Sequence, residues 1–270
     1  MTDKKTTQPV TAISLTAARL SIAAVTTYQV TLIALIFIRP DLDPSWHTIS
    51  EWAIGPYGWI MSLAFLVSAV SYGSLFVALK SQMRSRGGTI GLGILLICTI
   101  GTVGVGIFTT DPYPPERTLS TIGTLHIIFG SSALMFLPFA ALLINLSLAR
   151  KNQAWATERR ALLCTAGLPL LGLVGFLVHL AIFVIPLGDA SGPGVPIGWP
   201  PRFLFLTYMV WLITLAWQAV RVRSQKDQPV KNSFGQRKKN LLMMSRTPDL
   251  IRLHYENALT RCQNRKEQNT

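Results

Sequence analysis

Residues Ile122 to Leu146 read IGTLHIIFGSSALMFLPFAALLINL, 25 positions without a single Asp, Glu, Lys or Arg. At about 1.5 Å of rise per residue, a helix of this length covers the ~30 Å hydrocarbon core of a bilayer. A strand needs only about ten residues for the same crossing, so the length of the run decides for helix. Five other runs are of the same kind: roughly Ala18 to Ile38, Tyr57 to Leu79, Thr89 to Phe108, Leu162 to Pro186 and Phe203 to Val220. Half of the 270 residues are hydrophobic and only 14% are charged, outside the usual range for a soluble domain. The sequence predicts an all-α, polytopic bundle of six transmembrane helices.

The formal net charge of +13 raises the question of nucleic acid, and its distribution answers it. With the N-terminus inside, the inner segments hold Lys4, Lys5, Arg19, Lys80, Arg84, Arg86, Arg150, Lys151, Arg159, Arg160 and everything from Arg221 onward. Only Arg39, Arg117 and Arg202, 3 of the 25 basic residues, fall outside. This is the positive-inside pattern, with both termini cytoplasmic, and no nucleic-acid partner is expected. The chain divides into a cytoplasmic lead (1–17), a six-helix membrane domain (18–222) and a basic cytoplasmic tail (223–270). A cell membrane, crossed several times, is the expected location. The tail's juxtamembrane basic residues would be drawn to anionic lipid headgroups, and Thr247-Pro248-Asp249 opens a short helix with Ile251, Tyr255, Leu259 and Cys262 on one side. Cys98, Cys164 and Cys262 all fall in spans or the tail, so no disulfide is implied.

Polar, ionisable and aromatic residues concentrate between the first two spans, in Asp43-Pro44-Ser45-Trp46-His47-Thr48-Ile49-Ser50-Glu51-Trp52 and on through Trp59. Asp43 can cap and Pro44 open a helix of about three turns, which Gly55-Pro56 closes. It would place His47, Ser50, Glu51 and Ile54 on one face. Its tryptophans match an interfacial belt, so the segment reads as a short outer interfacial helix. Small residues in the second and third spans (Ser68, Gly73, Gly91, Gly101, Gly104) allow close helix approach. Pro138 is expected to kink the fourth span unless a neighbour bonds the carbonyl it frees.

The run His47-Thr48-Ile49-Ser50-Glu51, the following Gly55-Pro56-Tyr57-Gly58-Trp59, Thr110-Asp111-Pro112 and His126 resemble the motifs of the domain-of-unknown-function 998 family of bacterial integral membrane proteins. The resemblance covers about residues 15 to 222. It implies a six-span bundle in a bacterial inner membrane, an unassigned activity and motif positions at His47, Ser50, Glu51, Asp111 and His126. Thr109 stands where that family's motif has proline, and the basic tail lies beyond the resemblance.

Under the charge-derived topology His47, His126 and His179 all map to the outer half of the bundle. Two functions are open. One is a non-enzymatic protein binding or sensing membrane lipid or a partner through this polar cap. The other is a metal-dependent hydrolase of a lipid amide or ester, with zinc as cofactor on His47, Asp111, His126 and His179, and with His47, Ser50 and Glu51 as catalytic candidates. The residue types resemble those of the alkaline ceramidase and adiponectin receptor group, but the HxxxH pair of that group is absent.

Overall fold

The computed structural model describes residues 13–112, 118–188 and 192–246, with side chains as far as residue 225. The chain forms two compact units, Met1–Arg223 and Ser224–Thr270, and the candidate site lies within the first. Lys4 and Lys5, the 114–117 stretch, Asp189 and the tail helix expected from Thr247, with Cys262, lie outside the described residues.

Among the described residues all regular structure is helical. Six helical stretches are long and apolar enough to cross a membrane: Leu15–Ile38, Gly58–Gln82, Arg86–Ile107, Thr121–Lys151, Gln153–Leu187 and Trp199–Gln225. Large apolar side chains such as Phe37, Leu171 and Ile185 stand more than two-thirds exposed on these helices. A helix that is hydrophobic on its outward side as well as its inward one needs lipid around it.

Serine hydroxyls set where three of the helices begin. Ser14 accepts the Ala17 amide at the head of α1 (Leu15–Ile38). After α2 (Gly58–Leu79), Ser85 accepts the Gly88 amide at the head of α3 (Arg86–Ile107), and Ser120 accepts that of Gly123 at the head of α4 (Thr121–Lys151). Each bond satisfies an amide that has no partner within the first turn. The fifth span is less regular. It contains α5 (Arg159–Ala166), a break at Gly167, α6 (Leu168–His179) and then a π-helical turn, Leu180–Val184. Pro169 has no amide hydrogen, so a continuous ladder cannot run through it. The last helix, α7, is Trp199–Arg246.

Helix packing uses small residues and a few buried polar bonds. A side chain at Gly101 would put its first carbon 2.7 Å from the Phe129 carbonyl oxygen, so the backbones of α3 and α4 approach this closely only because glycine is there. Pro138 sits inside α4, and the carbonyl it leaves free, four residues earlier at Leu134, accepts the Tyr208 hydroxyl of α7 at 2.6 Å. Deeper in the bundle, Asn145 of α4 donates to the Leu162 carbonyl at 2.9 Å and accepts the Trp211 indole N–H at 3.1 Å. Three spans are thereby tied at one fully buried amide.

Candidate functional site

The segment between α1 and α2 is not the three-turn helix expected from Asp43 and Pro44. Asp43 uses its carboxylate on the Ser45 amide at 2.8 Å, and its carbonyl accepts the His47 amide at 3.1 Å. These local bonds make turns, as aspartate side chains commonly do. Helical winding begins only after Thr48, whose amide and hydroxyl both donate to the Glu51 carboxylate, at 2.5 and 2.9 Å. This cap opens a 3-10 helix over Ile49–Ala53. His47 therefore does not share a helical face with Ser50.

Arginines from two helices hold the segment. Arg39, directly after α1 and buried, forms a two-pronged pair with Asp41 at 2.7 to 3.1 Å. Its remaining nitrogen donates to the Ile54 and Pro56 carbonyls at 2.8 and 2.9 Å. The guanidinium beside Asp41 holds that carboxyl below the usual range, and the Ser45 amide does the same for Asp43. Arg202, in the first turn of α7, donates to the carbonyls of Pro44, His47 and Gly198. Its guanidinium lies 4.2 Å above the Trp52 ring, a cation–π contact. Tyr57, at φ 62°, takes a left-handed turn that returns the chain into α2.

This anchored segment delivers Ser50 to His126. The Ser50 Oγ lies 3.0 Å from His126 Nε2, across 76 residues of sequence. On the other side of the ring, Nδ1 is 2.6 Å from the Phe108 carbonyl at the end of α3. A carbonyl only accepts, so in the neutral ring Nδ1 carries the hydrogen and the bare Nε2 accepts from the Ser50 hydroxyl. Asp111 holds the head of the helix that carries the ring. Its carboxylate accepts the Ser120 amide at 2.8 Å and the Ser120 hydroxyl at 2.7 Å, fixing the first turn of α4 against the end of α3. Any side chain at Gly123 would run into that carboxylate, so the junction requires glycine.

Ser50 and His126 line a partly open cavity of about 240 Å³. Every span contributes to its wall, including Tyr28, Phe65, Thr102, Leu134, Phe176 and Phe205. A second, larger hollow of about 600 Å³ lies between α6 and α7 and carries His179. Phe176 lines both spaces.

Of the residues singled out in the sequence, Ser50 and His126 come together directly. Asp111 acts one step back, on the helix that carries His126. Glu51 caps its own 3-10 helix. His47 contacts the Asp43 carbonyl at 3.1 Å and lies against the Trp46 ring. His179 contacts the Pro196 carbonyl at 2.7 Å. As a metal centre, then, His47, Asp111, His126 and His179 do not assemble: among the described residues no group of three or more His, Cys, Asp or Glu side chains is placed to hold an ion. Each is placed with a different set of partners instead: His47 with the Asp43 carbonyl, Asp111 with Ser120, His126 with Phe108 and Ser50, and His179 with the Pro196 carbonyl. In the sequence Arg39 and Arg202 stand out only as marks of topology. The signal for their second role is an arginine beside proline and aromatic residues at a span end.

Fold and site together define a multi-pass, membrane-type helix bundle with a partly open cavity between the spans, bordered at one end by the pinned segment. Residues 21–218 match the model of the family described as protein of unknown function (DUF998), and the chain belongs to that family. No curated protein and no solved structure matches it.

Proposed function

We propose that this protein binds an amphipathic, lipid-type ligand in the cavity at Ser50 and His126. One observation carries the reading: a largely apolar cavity of about 240 Å³, bordered by all six spans, has an ordered Ser–His pair in its wall. Ligand sites are commonly apolar hollows with a few fixed polar groups, and ~300 Å³ is the lower end of their usual size. At about 240 Å³ the cavity admits the polar end and part of a single chain, the rest extending through its open side, and not a whole two-chain lipid. The hollow between α6 and α7, open to the lipid-facing side of exposed Leu171 and Phe203, offers a lateral route that Phe176 separates from the cavity.

The charge asymmetry supports an orientation with both termini cytoplasmic, under which the Ser50–His126 end of the bundle would face the outer side of the membrane. The same asymmetry assigns the basic tail to the cytoplasm, where anionic headgroups attract it.

The binding test uses purified protein in mild detergent and oleate as the probe. Saturable binding is expected, with about tenfold weaker affinity in Ala133→Phe, which puts a ring into the cavity wall. Binding that is non-saturable, or unchanged in Ala133→Phe, would sink the reading.

A further inference from the structure

We propose that Ser50 is the nucleophile, and His126 the general base, of an acyl-transfer reaction on an amphipathic carboxylic ester. The inference rests on the proposed function, that the cavity receives an amphipathic molecule, and adds chemistry to it.

Three observations meet here. The nucleophile and base are at hydrogen-bond distance, with Ser50 Oγ 3.0 Å from His126 Nε2. The base is itself oriented, because the Phe108 carbonyl takes Nδ1–H at 2.6 Å and leaves the Nε2 lone pair for the serine proton. The pair opens on a space large enough for a substrate, with the serine half-buried and facing it and the imidazole only 5% exposed. A serine at its ordinary acidity is a weak nucleophile, and an adjacent, oriented base is the usual means of activating it. Nucleophile, base and orienting acceptor are three of the parts that such a site uses. A backbone carbonyl here takes the orienting place often held by a carboxylate. It fixes the tautomer without placing a charge in the membrane interior, where an unpaired carboxylate would be costly.

The reaction balances without an oxidant, a reductant or a metal. Ser50 Oγ forms a bond to the ester carbonyl carbon while its proton passes to His126 Nε2. Collapse of the tetrahedral adduct breaks the carbon–oxygen bond to the alcohol, which leaves with the proton from Nε2. Water then attacks the acyl-serine, giving its proton to Nε2, and release of the carboxylic acid returns that proton to Ser50 Oγ. The rigid placement of Ser50 comes from the segment itself: Thr48 and Glu51 fix the start of its helix, and Arg202 holds Trp52 and the His47 carbonyl.

The test is covalent trapping. Purified wild-type protein in mild detergent is treated with a long-chain alkyl fluorophosphonate, and the adduct is located by intact-mass and peptide analysis. One adduct, on Ser50, is expected, with none in Ser50→Ala. In His126→Gln, which retains a hydrogen-bond acceptor but cannot take the proton, labelling should slow by about 100-fold. Size-exclusion profiles and thermal midpoints confirm that each variant is folded. No adduct on folded wild-type protein, an adduct on another serine, or an unchanged rate in His126→Gln would overturn the assignment. If such a preparation still binds oleate saturably, only the chemistry falls; if wild-type protein binds no oleate, the cavity reading falls as well.

Discussion

At the scale of single residues, the most informative pairing is Tyr208 with the carbonyl that Pro138 frees. Replacing Tyr208 by Phe should cost ~1 kcal/mol, the usual worth of a hydrogen bond in this setting, and lower the thermal midpoint in detergent. In a Pro138→Ala background the residue-138 amide can bond the same carbonyl, so Tyr208→Phe should cost clearly less there. Equal costs in the two backgrounds would contradict the pairing. The proline was legible in the sequence, and so was the need for a donor. Tyr208 was not, because it lies 74 residues from Leu134 and its phenol could have faced any side of α7. The acids of the 43–59 region and its approach give a pH prediction. Asp41 and Asp43 are both held below the usual carboxylate value of ~3.9. A carboxyl depressed in the folded state contributes stability above its unfolded pKa and loses that contribution as pH falls through the folded one. In a His47→Gln background, which removes the imidazole stacked on Trp46, fluorescence from Trp46, Trp52 and Trp59 should therefore stay constant from pH 8 to about 5 and change only below about 4. A transition centred between pH 5 and 6 would contradict the assignment of these two acids.

Among elements, the close contact of α3 and α4 depends on Gly101. Gly101→Ala presses a methyl group toward the Phe129 carbonyl and should destabilise the bundle by about 1–3 kcal/mol, the range for overpacking. An unchanged thermal midpoint would mean that the helices can separate at no cost. The fifth span, with its break at Gly167 and its π-helical turn, carries Phe176 between groove and cavity. Phe176→Ala should speed oleate dissociation by about tenfold, equivalent to ~1.4 kcal/mol off the barrier. An unchanged stopped-flow rate would rule out this route. Run length and composition were enough to find the six apolar helices. They could not find the irregular winding of the fifth, because apolar composition is the same in an α and a π turn. Between α1 and α2, Asp43 and Pro44 read equally well as a helix start or as a turn. Glu51 settled the matter by bonding to Thr48, which moved the start of winding to Ile49.

For the molecule as a whole, the sequence made the membrane class readable through its uncharged runs, and Ser50 and His126 stood out as motif residues. Their partnership was not readable, since it depends on a segment after α1 folding back over the head of α4. The four metal candidates are not brought together for a related reason: counting histidines at one end of a bundle does not give the distances between them. Orientation is open to a direct test. A cytoplasm-active reporter joined after Gln225 should be active, and a reporter active only outside the cytoplasm should be silent there; the opposite result would reverse the placement of the site. The central claim, that the cavity holds an amphipathic molecule, is tested most directly by photo-crosslinking in native membranes with a diazirine fatty acid. Cross-links at cavity-lining Phe65, Thr102 or Phe205, reduced by excess oleate and by Ala133→Phe, are the predicted result. Cross-links confined to exposed residues such as Phe37, Leu171 and Ile185 would contradict it.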